Sequence, residues 1–415
     1  MRKIKAVVVG CLLLLTSACI MGPKMGIISS TPGYLKKVNK VTKVDPKISQ
    51  ALNLFALDLF NEVNSQNGNV FISPVSIYIA LGMIYNGADS STKDEMSQVL
   101  NVTDLTLDEF NKLSRNLQSL VLNNDKSDIE LANSIWIRDT YQDMVKKDFI
   151  NRNKDYFGAM MASLDFDNPN TKKVINNWVN KNTKGRVKDA VEEDIHPLTV
   201  MFLINTIYFK AEWTSPFAKA NTQDGNFYTT DKVVVVPMMN KIDQLGYFED
   251  QYYQGVLLPY NDKQTSMFIL LPDVEHTNFT LTNDYLTNVI STMQKNKVSL
   301  DLTMPKVKVE YTKSLKEPLS NLGMSHAFSG MADFSKMANR AIEDGLHIQD
   351  VTHKSFLAID EKGTEAAAMT KVEMRLESMP TYDYEMIIDH PFIVGIIDNK
   401  SHSIFFLGAI FNPED

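Results

Sequence analysis

Cysteine is nearly absent: a chain of 415 residues carries only Cys11 and Cys19. Both lie in the first 19 residues, so the body that follows has no disulfide, no thiol nucleophile and no thiolate cage for a metal. Histidine is sparse as well. His196, His276, His326, His347, His353, His390 and His402 are scattered, none at the spacing of a ligand pair, so no metal is expected. The chain lacks a G-x-S-x-G elbow, an H-E-x-x-H helix, a Walker loop and a G-x-G-x-x-G turn. A Ser-His-Asp triad is assembled in space and stays open to a sequence reading, but no serine stands on a strained strand-to-helix turn. Neither an enzyme nor a cofactor is therefore expected. There is no basic excess: 42 Lys and Arg face 50 Asp and Glu, a net charge of −8, which argues against nucleic acid as a partner. The densest basic clusters, Lys36-Lys37 and Lys181 to Lys188, read as solvated surface.

What is present begins with a targeting segment. Arg2, Lys3 and Lys5 precede an apolar run from Ala6 to Leu15, too short to span a bilayer. Leu15-Thr16-Ser17-Ala18-Cys19 resembles a bacterial lipobox, with Thr16 where leucine is usual. Lipidation of Cys19 would anchor an extracytoplasmic protein to the membrane; the alternative is a secretory signal cleaved near Ala18. Residues 20–45 hold Gly22-Pro23, Gly26 and Pro32-Gly33 among apolar residues such as Ile27, Ile28 and Leu35. They read as a tether, either solvated or docked on the body.

From about Pro46 to Asp415 the composition is that of an ordinary globular protein, 44% hydrophobic and 22% charged. Ile48, Leu52, Phe55, Leu59 and Val63 make one helical stripe. Phe71-Ile72-Ser73-Pro74 reads as a strand end, a cap and a helix start. Further helices are expected from Ser91 and over 174–182. Strands are expected over 202–209 (fully buried), 233–239, 255–259, 266–271, 298–311, 346–360, 386–397 and 403–411. Helices early and strands late, with no βαβ rhythm, give an α+β domain.

The segment Gly363 to Glu377 alternates. Thr364, Ala366, Ala368, Thr370, Val372, Met374 and Leu376 are small or apolar, while most residues between them are charged. That is the pattern of a half-buried strand, yet it begins at a glycine and runs into Ser378-Met379-Pro380-Thr381, which has loop character. A loop with the pattern of a strand points to a protein that changes its fold once.

Taken in order, these motifs resemble the serpins over the whole of 46–415. They include Asn69 to Ser76, Ile175 to Gly185, Leu203 to Lys210 with Trp213 and Phe217, and Val236 to Met239. Ser266 to Pro272, Met304 to Lys306, Ala332 to Ser335, Val351 to Lys354, Gly363 to Ala368, His390 to Phe392 and Phe406 to Phe411 follow. The resemblance implies three β-sheets, about nine helices and an exposed reactive-centre loop. It also implies a monomer that traps a target serine protease in a covalent 1:1 complex. The protease cleaves the loop, which then inserts into the main sheet. A non-inhibitory ligand carrier or chaperone is the alternative.

Residue by residue, Glu361, Gly363, Thr364, Glu365, Ala366, Ala367 and Ala368 match the family's hinge. Ser73, Ser76, Asn205 and His353 match its polar shutter, and Trp213, Lys306 and Glu361 its breach, where a Lys306–Glu361 ion pair is expected. Seventeen residues counted from Glu361, the family's inhibitory spacing, end at Glu377, so Glu377–Ser378 is the expected scissile bond. The span from Gly363 to Pro391 runs longer than is usual, which leaves cuts after Arg375, Leu376, Ser378, Met379 and Thr381 open.

Overall fold

In the computed structural model, which describes residues 25–29, 44–64, 68–122, 127–185, 189–191, 194–273, 279–364 and 381–414, the helical layer opens at Asp45. Its carboxylate accepts from the Lys47 N–H at 2.9 Å, and Pro46 occupies the first helical turn, where a missing N–H is harmless. A short strand β1 (Gly26–Ser29) precedes this helix, α1 (Pro46–Val63), whose apolar stripe is buried as the periodicity requires. β2 (Val70–Ile72) leads into α2 (Pro74–Tyr85), α3 (Ser90–Val99) and α4 (Leu107–Leu122). Next come β3 (Asp128–Arg138), α5 (Lys147–Phe157), β4 (Met160–Leu164), α6 (Thr171–Asn182) and β5 (Met201–Glu212). Strands then dominate: β6 (Gln223–Tyr228), β7 (Val233–Glu249), β8 (Tyr253–Pro259) and β9 (Thr265–Pro272). α7 (Asn283–Lys295), β10 (Lys297–Pro305), β11 (Val307–Ser314), α8 (Lys316–Asn321), β12 (Thr352–Asp360) and β13 (Gly363–Thr364) follow. β14 (Tyr384–Ile387), β15 (Phe392–Asp398) and β16 (Ile404–Ile410) close the chain.

The strands form two hydrogen-bonded sheets. The first runs β1-β4-β3-β5-β13-β12-β11; the second runs β14-β10-β7-β8-β9-β15-β16-β2, with β6 alongside β7. Of the three sheets expected, the two smaller are continuous here because β7, 17 residues long, pairs with β6 over 233–238, with β10 over 238–246 and with β8 over 246–249. The main core lies between the sheets and the helices α1 and α2; a second, small core forms where α6 covers Trp136 and Leu164 on the outer face of the first sheet.

Five local expectations need correction. The single strand expected over 298–311 is two strands in different sheets. Pro305 cannot donate to a ladder, and the Lys306 N–H turns to the Pro237 carbonyl, 2.9 Å away, as the chain crosses over. The strand expected from Leu346 begins only at Thr352, and 386–397 is split at Pro391. Phe202 to Ile204 are half-buried rather than fully buried: Phe202 and Ile204 meet the small cluster under α6, and Leu203 meets the main core from the other face. Finally, one βαβ unit does occur: β3 and β4 are parallel, with α5 between them.

β1 lies at the edge of the first sheet, antiparallel to β4, with Gly26 opposite Ser163 and Ile27 opposite Ala162. Residues 26–29 are therefore laddered to the body. A truncation that starts at Val44, and so keeps the Asp45 cap, removes this strand. Loss of a few ladder bonds at about 1 kcal/mol each should lower the thermal midpoint and raise hydrogen exchange at Met161–Ser163. An unchanged midpoint and unchanged exchange would show that β1 adds nothing to the fold.

Candidate functional site between β5 and β12

β5 and β12 run parallel but do not pair with each other among the described residues; β13 stands between them. β12 ends at Asp360, and the chain reverses through Glu361 and Lys362. The Asp360 carboxylate closes this turn by accepting from the N–H groups of Lys362 (2.8 Å) and Gly363 (3.3 Å). Gly363 then pairs with Asp360 on one side and Glu212 on the other, and Thr364 with Ile359 and Ala211. Two residues of a new strand are thus already in the sheet. A Cβ on Gly363 would sit 2.1 Å from the Ala211 carbonyl oxygen, so only glycine fits between the two strands at that point. Thr364 is buried, and its hydroxyl meets the Tyr260 hydroxyl at 2.6 Å.

Around this turn lies a dense receiving surface. Trp213 donates its indole N–H to the Asp360 carbonyl (3.0 Å) and its backbone N–H to Lys362 (2.7 Å), while its ring stacks on Tyr260 at 4.6 Å. The Phe217 N–H donates to the Glu361 carbonyl at 2.8 Å. The Glu361 carboxylate, 5% exposed, accepts from Lys306 Nζ and from the Thr222 hydroxyl, each at 3.0 Å. Burial pushes the Glu361 pKa up, but its own backbone N–H, the hydrogen bonds from Lys306 and Thr222 and the Lys306 charge outweigh it and leave the pKa below the usual carboxylate range. Lys306 and Glu361 are therefore paired as expected, while Trp213 holds the residues on either side of Glu361, Asp360 and Lys362.

Lower in the sheet, β5 and β12 are joined indirectly, through the first turn of α2. Ser73 caps that helix: its Oγ accepts from the Ser76 N–H and donates to the Phe405 carbonyl at 2.9 Å. Its backbone N–H donates to His353 Nε2 on β12 at 3.1 Å. One turn further, Ser76 Oγ donates to Asn205 Oδ1 on β5. The Asn205 amide passes on to Asn133 on β3, and Asn133 donates to Gln118 Oε1 (3.1 Å) and the Phe157 carbonyl (2.7 Å). Ser73, Ser76, Asn205 and His353 thus belong to one buried network that ties both strands to the helix beneath.

At the far end, β14 pairs in parallel with β10, and residues just before it are held by Ser299, which donates to the Thr381 carbonyl and the Asp383 carboxylate. Of the expected scissile positions only Thr381 is described. Glu365, Ala366, Ala367, Ala368, Arg375, Leu376, Glu377, Ser378, Met379 and Cys19 lie outside the described residues. Sequence reasoning missed Tyr260, Thr222, Asp360, Asn133 and Gln118. A signal existed for Asp360, which stands before a Glu-Lys-Gly turn. For the others there was none, since Tyr260 and Thr364 are 104 residues apart.

The family model for Serpin (serine protease inhibitor) matches residues 50–413. A serpin-like protein of Thermococcus kodakarensis is 34% identical over 89% of this chain and 86% of its own length. Human Serpin B4 is 31% identical over 88% of this chain and 99% of its own. Among solved structures, the thermophilic serpin tengpin in its native state matches with a TM-score of 0.78 and 30% identity, covering 92% of this chain and all of tengpin. Thyroxine-binding globulin in complex with thyroxine matches with the same TM-score and identity over 89% of this chain and all of its own. The chain belongs to the serpin family.

The His353 ring is a pH-sensitive member of the network. Ser73 N–H can only donate, so Nε2 carries a lone pair and the ring is the neutral Nδ1–H tautomer. Burial lowers its pKa from 6.5 to about 4. Between these values the unfolded chain binds more protons than the folded one, so stability falls as pH drops through 6.5 toward 4. The full shift corresponds to a loss on the order of 3 kcal/mol. Thermal midpoints measured from pH 7 to pH 4 should show this slope, reduced in His353→Gln, whose carbonyl can still accept from Ser73. An equal slope in that variant would assign it to another group.

Proposed function

We propose that this serpin inhibits a serine protease as a suicide substrate and supplies no catalytic residue of its own. The observation that carries the reading is β13: Gly363 and Thr364 already occupy a strand position between β5 and β12, and the next residues alternate as that strand would require. The protease serine Oγ attacks the loop carbonyl, in our reading that of Glu377. The amide bond breaks, Ser378 leaves as the new amine with a proton from the protease histidine, and an ester joins the loop to the protease. Insertion of Glu365 to Leu376 along β5 and β12 then carries the ester-bound protease across the sheet before water hydrolyses it. Small residues at Ala366 and Ala368 let the hinge enter. Arg375, Leu376, Ser378, Met379 and Thr381 are the alternative cut sites.

The same reading places a monomeric inhibitor outside the cytoplasm, held to a membrane through lipid on Cys19, with β1 on the sheet edge opposing insertion of the uncleaved loop. A ligand carrier is the second reading, prompted by the likeness to thyroxine-binding globulin. A groove of about 620 Å³ over β6, β7, β10 and β14 has a mixed wall, with Asn226, Asn240 and Asp389 beside Tyr228, Met238 and Ile387.

The test is incubation of residues 20–415 with trypsin-, elastase-, chymotrypsin- and Glu-specific serine proteases, read by denaturing gel and by the mass of the released C-terminal peptide. The expected product is a denaturant-resistant 1:1 adduct whose peptide begins at Ser378. Cleavage by every protease without any adduct, and without a gain in thermal stability, would leave the carrier reading in front. Thr364→Arg puts a charge where a buried hydroxyl now meets Tyr260. Its loop should be cut at the wild-type rate, with most of the protease released active.

A further inference from the structure

Phe217, whose N–H holds the Glu361 carbonyl, is itself held from the other sheet by a buried lysine that neither the hinge nor the shutter includes. Lys241 lies on β7, opposite Leu302 of β10, and is 8% exposed. A lysine so placed is costly unless its charge is matched on every side. Here Nζ donates to the Ser215 carbonyl at 2.8 Å and to the Asp243 carboxylate at 3.3 Å, and stands 4.7 Å from the centroid of the Phe217 ring; these partners offset only part of the burial, which still holds the pKa below the usual lysine value. Two of these three contacts are to the connection between β5 and β6.

That connection, residues 213–222, is also the surface that receives the β12–β13 turn. Trp213 and Phe217 donate to the carbonyls of Lys362 and Glu361, and Thr222 donates to the Glu361 carboxylate. We propose that Lys241 is a positioning residue for loop insertion: from the second sheet it holds Ser215 and Phe217, and through them the Glu361–Lys362 turn on which the inserting strand pivots. The proposal rests on the inhibitory reading for its consequence but not for its geometry. A pivot held at fixed distance from β5 starts β13 in register. A loosened one makes each further ladder bond compete with motion of the turn, which slows insertion relative to hydrolysis of the ester.

Lys241→Met keeps the aliphatic stem and removes the charge; Lys241→Arg keeps a cation that can reach a carbonyl and lie over Phe217. The first readout is hydrogen exchange at the Trp213 and Phe217 amides of the uncleaved protein. It should rise about tenfold in Lys241→Met, the loss of roughly one hydrogen bond's worth of protection, and stay near wild type in Lys241→Arg. The second is stopped-flow tryptophan fluorescence after trypsin cuts the loop at Lys371 or Arg375, with Trp213 on Tyr260 as the reporter. The cleavage rate should be unchanged, and the phase after cleavage about tenfold slower in Lys241→Met and restored in Lys241→Arg.

Unchanged exchange in Lys241→Met would overturn the proposal outright. Raised exchange with an unchanged insertion phase would make Lys241 a structural residue only, which also overturns it. A wild-type protein with no phase after cleavage would instead refute the inhibitory reading, and exchange alone would then decide whether the clamp exists. Should Lys241→Met fail to fold, Phe217→Leu removes the ring under the ammonium, and the same two measurements apply.

Discussion

The polar chain from His353 through Ser73 and Ser76 to Asn205 carries a constraint on which the rest of this structure depends. In an ordinary sheet, neighbouring strands are held by their own ladder. Here β12 and β5 are connected through the capped first turn of α2, where Ser73 holds one strand and Ser76 the other. A buried hydrogen-bond network is a directional and reversible tie, strong when every member is satisfied and costly when one is lost. It lets two long strands keep their spacing while the place between them takes a strand that begins with Gly363. An apolar interface in that position would have closed the sheet.

The upper end of the site follows a different rule. Around Glu361 the partners come from both sheets: Lys306 sits in the crossing from β10 to β11, Thr222 and Phe217 in the connection from β5 to β6, and Tyr260 at the end of β8. The turn at Asp360–Gly363 is thereby held against three separate pieces of chain, and Gly363 fits only because it has no side chain. Such a pivot concentrates the alignment of a whole future strand in four residues. The continuity of β7 through the second sheet makes that sheet a rigid support for it.

How much of this was legible beforehand follows from the range of each interaction. The Ser73 cap and the Ile48–Val63 stripe were legible, because each acts on neighbours within a few residues and its meaning is local. The loop's alternation is local too, which is why its strand character shows without any structure. The break at Pro305-Lys306 was harder, because alternation continues across it and only the Pro237 carbonyl, about 70 residues upstream, reveals the change of sheet. The half-burial of Phe202 and Ile204 depends on how far α6 reaches, and no property of β5 encodes that.

By itself, then, the sequence marked several of the helices and strands of the body and the α+β class, and showed that residues 363–377 carry a strand's alternation. It also excluded chemistry that needs thiols beyond residue 19 or closely spaced metal ligands. The tertiary structure alone decided that β13 begins between β5 and β12, that Tyr260, Thr222 and Lys241 surround the turn that leads into it, and that one helix turn ties both strands. The physical reason is that propensity, capping and alternation act over a few residues. A buried carboxylate, a neutral imidazole and a buried lysine acquire their state only when groups from other elements, 26 residues away for Lys241, 55 and 139 for Glu361 and 280 for His353, arrive within about 3 Å.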